Sequence, residues 1–258
     1  MSITTTHLMR ASGLSAVAAG LLFLGVQINH PQLDADFVTT TEWSVRQSMK
    51  VLMSGLSLAG ITGMYLRQVK QSGVLGLLGY VVLGIGYLIM MSVEVIGLVV
   101  LPALAHTSTG YVNNVLAAAT GGHPNGDIGL MQPLALAAGL TYMLGGLIFG
   151  IALFRANVLA RWAAAVLAAG TISSILIPFL PQINERLFAV PTGVALIGLG
   201  FSLWRGRRTT VAGETMPQAA GAPLDPAGTR EPTRSPLHLV DSVGQVRGCP
   251  TTTGATHD

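Results

Sequence analysis

GVLGLLGYVVLGIGYLIMMSVEVIGLVVLPALAH, residues 73–106, decides the architecture: it is one long apolar run interrupted by a single carboxylate, Glu94. At about 1.5 Å per helical residue such a run exceeds the roughly 30 Å hydrocarbon layer of a bilayer. It predicts a membrane-spanning helix over about 74–104, with the remaining apolar segments packed around it.

The composition points the same way. Half of the 258 residues are apolar and 10% are charged, where a soluble domain carries roughly 25% charged residues. Many of the 32 glycines lie inside apolar runs. That suits close helix contact in lipid better than a water-soluble core, where a mid-helix glycine costs about 1 kcal/mol. The lone Cys249 excludes an internal disulfide framework and a thiolate-only metal site.

Five further spans follow from the pattern of apolar runs and breakers, so the fold class is all-α, a six-transmembrane-helix bundle. The spans are predicted at about 11–28, 48–66, 74–104, 128–154, 162–180 and 187–204, within a membrane domain of residues 1–208. Arg10 before the first run resembles the start of a secretory signal. No small-x-small cleavage site follows, however, and the run is long enough to span. In the second span Gly55, Ala59 and Gly63 form a four-residue stripe where another helix, or a second copy of the chain, can approach. Between the third and fourth spans, residues 111–119 read either as a short interfacial helix or as an ordered loop. From Thr209 onward the chain is rich in Thr, Pro, Ala and Gly with charges of both signs. It buries too little apolar surface to offset its ordering entropy, which predicts a disordered tail over 209–258.

The basic residues set the orientation. With the N-terminus inside, the inner segments hold Arg10, Arg67, Lys70, Arg155, Arg161, Arg205, Arg207 and Arg208. The outer ones hold Asp34, Asp36, Glu42, Asp127 and Glu185 against Arg46, Lys50 and Arg186. This positive-inside pattern predicts an inner (cell) membrane protein with both termini cytoplasmic. It assigns the formal charge of +3 to topology and not to nucleic acid. AVAAGLLFLG from Ala16 and ALAAGLTYMLG from Ala135 are alike. Three spans per half would make such halves inverted, as in many secondary transporters.

Glu94 is the sharpest chemical signal, because an ionisable residue inside an apolar span is costly and marks a pathway, a relay or a pair. Helical spacing sets it on one face with Gly79, Gly86, Met90 and Gly97, the face expected to look into the bundle. Lys50, one turn inside the outer end of the second span, is its natural partner. An ion pair that fixes helix register and a proton or cation site at Glu94 are the two readings. Gln132, before Pro133, aligns with Gly139 and Gly146 and is expected to bond a neighbouring helix.

Two outer pentapeptides match: HPQLD, from His30 to Asp34, and HPNGD, from His123 to Asp127. With His106 they offer donors for a divalent metal on the outer face. The same residues also suit turns, since Pro, Asn, Gly and Asp all favour them. Haem ligation by His30 and His106 is disfavoured, as haem-binding helices place their ligands inside the spans. Ser173 and Ser174 lie mid-span, where bonding back to the preceding turn is the usual use. The absence of GxSxG, HExxH and a phosphate loop argues against a standard hydrolase or ATPase. No cofactor is predicted beyond that candidate metal.

One resemblance spans residues 10–204. It rests on NHP after the first span, GMYLRQ closing the second and VEVIGLVVLPALA ending the third. GGLIFGIALFRANVLARWAA then joins the fourth and fifth, and VPTGVALIGLGFSLW forms the sixth. In this order of features the chain resembles a group of uncharacterised six-span integral membrane proteins common in actinobacteria. The resemblance implies an inner-membrane bundle and no established reaction. The expectation is a non-enzymatic structural, accessory or regulatory membrane protein. The alternatives are a transporter of protons, cations or small solutes using Glu94 and, third, a membrane enzyme with an outer metal site.

Overall fold

The computed structural model describes residues 4–28, 31–120, 122–175 and 189–206. The chain divides into two units, Met1–Glu214 and Thr215–Asp258. The second unit, and with it the tail expected from Thr209, lies outside the described residues. Among the described residues every regular element is a helix: α1 Thr5–Gln27, α2 Ala35–Val38, α3 Thr41–Arg67, α4 Val69–Val99, α5 Leu101–Leu104, α6 Thr109–Ala119, α7 Met131–Ala156, α8 Arg161–Ser173 and α9 Ala189–Arg205. Four of them, α1, α3, α4 and α7, are long and apolar enough to cross a membrane.

Several boundaries differ from the sequence expectation, each for a local reason. α3 starts at Thr41, well before the expected 48, because Thr40 Oγ1 accepts a hydrogen bond from the Trp43 amide at 3.2 Å and caps the first turn. Its extra turns put Arg46 beside Glu42 at 2.7 Å and against the carbonyls of Val26 and Ile28, where it closes the C-terminal end of α1. The link between the second and third spans is itself helical, broken at Gly73, whose φ of +55° suits glycine. The run expected to 104 stops at Val99, since Pro102 lacks the amide that would continue the ladder, and α5 restarts there. α7 ends where Asn157 turns left-handed. Residues 111–119 fall inside a helix, α6.

The six longer apolar helices close a ring. α1 packs on α3, α3 on α4, α4 on α7, α7 on α8, α8 on α9, and α9 returns to α1. Glycines set the register of each antiparallel contact. Gly60 and Gly63 of α3 meet Ala16 and Ser12 of α1, Gly79 and Gly86 of α4 meet Phe149 and Tyr142 of α7, and Gly13 and Gly20 of α1 meet Gly200 and Gly193 of α9. The stripe expected at Gly55, Ala59 and Gly63 is therefore not one interface. Gly63 packs on α1, whereas Gly55 has open space where a side chain would go and Ala59 is exposed. The reason is rotational: α1 approaches α3 over Gly60 and Gly63, and the helical turn carries Gly55 and Ala59 away from that contact.

Two apolar clusters hold the unit together. The larger fills the ring, with Phe23, Ile61, Met64, Leu83, Tyr87, Phe149, Leu167 and Leu199 among its members. The smaller caps one end, where α2, α5 and α6 pack on Trp43 and Ile128. Antiparallel alternation sorts the charges. Among the described residues, Asp34, Asp36, Glu42 and Asp127 belong to the capped end, with Arg46 and Lys50. Arg10, Arg67, Lys70, Arg155, Arg161 and Arg205 belong to the other.

Candidate functional site

The site grows from the antiparallel seam between α3 and α4. Gln47, Lys50, Ser54 and Ser57 recur along α3 at steps of three, four and three, the spacing that keeps side chains facing one partner helix. On α4, Tyr87, Met90, Glu94 and Gly97 recur with the same steps in the opposite chain direction. At the capped end the Trp43 indole donates to the Gly97 carbonyl at 2.9 Å, a fully buried bond. Gln47 fills the space that a side chain at position 97 would occupy.

One turn deeper, Lys50 Nζ lies 3.5 Å from Glu94 Oε2, with the two side chains 20% and 18% exposed. The structure thus brings together the two ionisable residues singled out from the sequence. Burial of this degree leaves the pair only partly screened by water. Below it, Ser57 faces the Tyr87 hydroxyl, yet neither oxygen makes a well-formed hydrogen bond. Tyr87 meets Tyr142 of α7 edge to face, with ring centroids 6.0 Å apart, and the Tyr142 hydroxyl donates to Thr192 Oγ1 of α9 at 3.0 Å.

Among the described residues the histidines and aspartates of the candidate metal site do not gather. Asp34 Oδ1 accepts from the Phe37 amide at 2.8 Å and caps α2. Asp127 Oδ1 accepts from the Gly129 amide at 2.8 Å, in the turn where Gly129 has a φ of +58°. His106 and His123 are exposed, and His30 lies outside the described residues. Among the described residues no three His, Cys, Asp or Glu side chains come close enough to share a metal ion. The carboxylates of the two pentapeptides do the turn and cap work that their neighbours favour.

Gln132 is exposed in the first turn of α7, not turned toward a neighbouring helix. Gly146, expected on its face, packs against Thr171. Ser173 bonds back to the Gly170 carbonyl at 2.8 Å. The cap depends on two residues that the sequence reading passed over. Asn113 Oδ1 accepts from the Ala35 amide at 2.9 Å, and Asn114 Oδ1 accepts from the Asn125 amide at 3.0 Å. The signal for Gln47, Ser54 and Ser57 was their three-four-three spacing with Lys50, a seam pattern written in polar residues. Compared with family models, curated proteins and solved structures, the chain matches none.

Proposed function

We propose that this chain is a six-span inner-membrane protein with both termini cytoplasmic, and that it serves a non-enzymatic structural, accessory or regulatory role. The observation that carries this reading is the Lys50–Glu94 contact at 3.5 Å. The carboxylate that interrupts the most apolar helix spends its charge on a neighbouring helix and fixes the register of α3 against α4. The spending of Asp34 and Asp127 on backbone amides supports the same reading. The orientation is supported by the charge asymmetry: Arg46 and Lys50, the two described cations of the capped end, are both ion-paired, while the opposite end collects six.

A double-mutant cycle tests the role of the pair. Glu94→Gln should leave Lys50 half-buried and unpaired, at a cost of about 1–3 kcal/mol, between the values for exposed and fully buried pairs. Lys50→Met should cost a similar amount, and the double variant should recover part of the loss. Strictly additive losses in detergent unfolding would remove the pair's register role.

A second reading, movement of protons through this region, is favoured by the unpartnered hydroxyls just below the pair. It expects Glu94→Gln to stay folded while proton flux in proteoliposomes is lost.

A further inference from the structure

Four polar side chains along the α3–α4 seam are sealed from solvent with hydrogen-bonding capacity unused. Gln47 Oε1 and Ser54 Oγ have no partner, Ser57 Oγ and the Tyr87 hydroxyl face only each other without a well-formed hydrogen bond, and all four residues are buried. Native proteins satisfy nearly every buried polar group with protein or ordered water, so such a row calls for water. The row is also directional. Gln47 to Ser57 covers about 15 Å of helix, and Ser57 stands at the midpoint of the apolar segment 48–66. The row begins beside the half-buried Lys50–Glu94 pair. It ends where Ile61, Met64 and Leu83, all fully buried, occupy the seam and the Thr62 and Tyr80 hydroxyls beside them are already committed to each other at 3.1 Å. Beyond these side chains, at the α3–α4 link, buried polar atoms without partners reappear on Gln68 and Ser72.

We propose that this seam is a hydrated proton half-path. Water enters at Lys50–Glu94, bridges Gln47, Ser54, Ser57 and Tyr87, and stops at the Ile61–Met64–Leu83 layer. The inference deepens the proton-movement reading and names the groups that carry it. The chemistry of the row selects the proton. Each hydroxyl both donates and accepts, so an oxygen that receives a proton from one neighbour releases its own to the next and ends with its charge unchanged. A metal cation would need several oxygens converging on one point, whereas these stand in file, Gln47 and Ser54 about two turns apart and Ser57, facing Tyr87, about one turn further on. The file ends at Tyr87 because the Tyr142 hydroxyl beyond it is already committed to Thr192.

Two measurements on the full chain test the path. In lipid nanodiscs, pulsed hydroxyl-radical labelling reports water at each side chain. Tyr87 and Phe149 are both fully buried rings, and Tyr87 should oxidise several-fold faster. Equal, slow labelling of the two overturns the hydrated path. In liposomes with a lumenal pH dye and a clamped potential, Ile61→Ser should raise proton flux above that of the unaltered protein. Leu83→Ser serves if that variant does not fold. Adding Ser57→Ala and Tyr87→Phe should abolish the gain. No gain in either folded variant, or a gain indifferent to Ser57 and Tyr87, overturns proton passage along this row. Glu94 and Lys50 stay intact throughout, so failure here is distinct from loss of flux in Glu94→Gln and from the outcome of the stability cycle.

Discussion

Trp43 shows how much one side chain does at the junction of cap and bundle. Its ring belongs to the cap cluster with Phe37, which it meets edge to face at 5.8 Å, while its indole N–H reaches across to the Gly97 carbonyl of α4. The two contributions separate by substitution. Trp43→Phe keeps an aromatic ring and loses the buried hydrogen bond, and should cost about 1–2 kcal/mol in detergent unfolding. Trp43→Ala also opens a cavity and should cost about 3–5 kcal/mol. Equal losses for the two variants would mean that the hydrogen bond carries the whole effect. At this scale the sequence was legible where charge is rare. Glu94 stands out inside an apolar run, and Lys50 lies at the matching depth of the preceding span. The role of Trp43 is not legible in the sequence, because its helical setting depends on the Thr40 cap, and a threonine among three consecutive threonines does not announce which one caps.

Between elements, the contact of α4 with α7 is a meeting of backbone on backbone. A methyl group at Gly145 would run into the backbone of Val82 and Leu83, and one at Gly79 into that of Ile148 and Phe149. Gly145→Ala should therefore push two helices apart and destabilise by about 1–3 kcal/mol, as overpacking does. Gly139, on the same helix with nothing near it, supplies the control. Gly139→Ala should be neutral or stabilise by up to about 1 kcal/mol through helix propensity. If both alanines behave alike, the interface is not set by close approach at Gly145. This contrast also explains why small-residue stripes were poor guides to partners. Apolar runs rich in glycine announce that helices meet closely, but Gly55 and Gly139 are indistinguishable in sequence from Gly63 and Gly145. Only the rotation of each helix within the ring decides which glycine is covered. The polar seam was legible in part: spacing puts Gln47, Lys50, Ser54 and Ser57 on one face, but only the fold sets Tyr87 opposite them.

For the whole molecule the open question is how many helices cross the bilayer, and the ring gives it a sharp form. α1 is a candidate span, and α9 lies along it from the Gly13–Gly200 contact to the Gly20–Gly193 contact, about 10 Å of shared axis. If α1 spans the bilayer, α9 accompanies it for at least that length and α8 packs between α7 and α9, so either both cross with the four longer helices or both turn back. Four crossings and six crossings both return the C-terminus to the side of the N-terminus. The natural Cys249, the chain's single cysteine, therefore tests orientation and not span number. If the basic end faces the cytoplasm, as proposed, an impermeant maleimide should spare it in intact cells and modify it in inverted vesicles. Span number is decided by Gln182, between the fifth and sixth runs of the sequence. In a Cys249→Ser background, Gln182→Cys should react from outside in intact cells if α8 and α9 both cross. It should be protected there, and exposed in inverted vesicles, if only α1, α3, α4 and α7 cross. Protection in intact cells with reaction in inverted vesicles would reduce the bundle to four spans. It would also mean that α8 and α9 enter the membrane beside α7 and α1 and return without crossing it, the Gly13–Gly200 and Gly20–Gly193 contacts being made over about 10 Å of that depth.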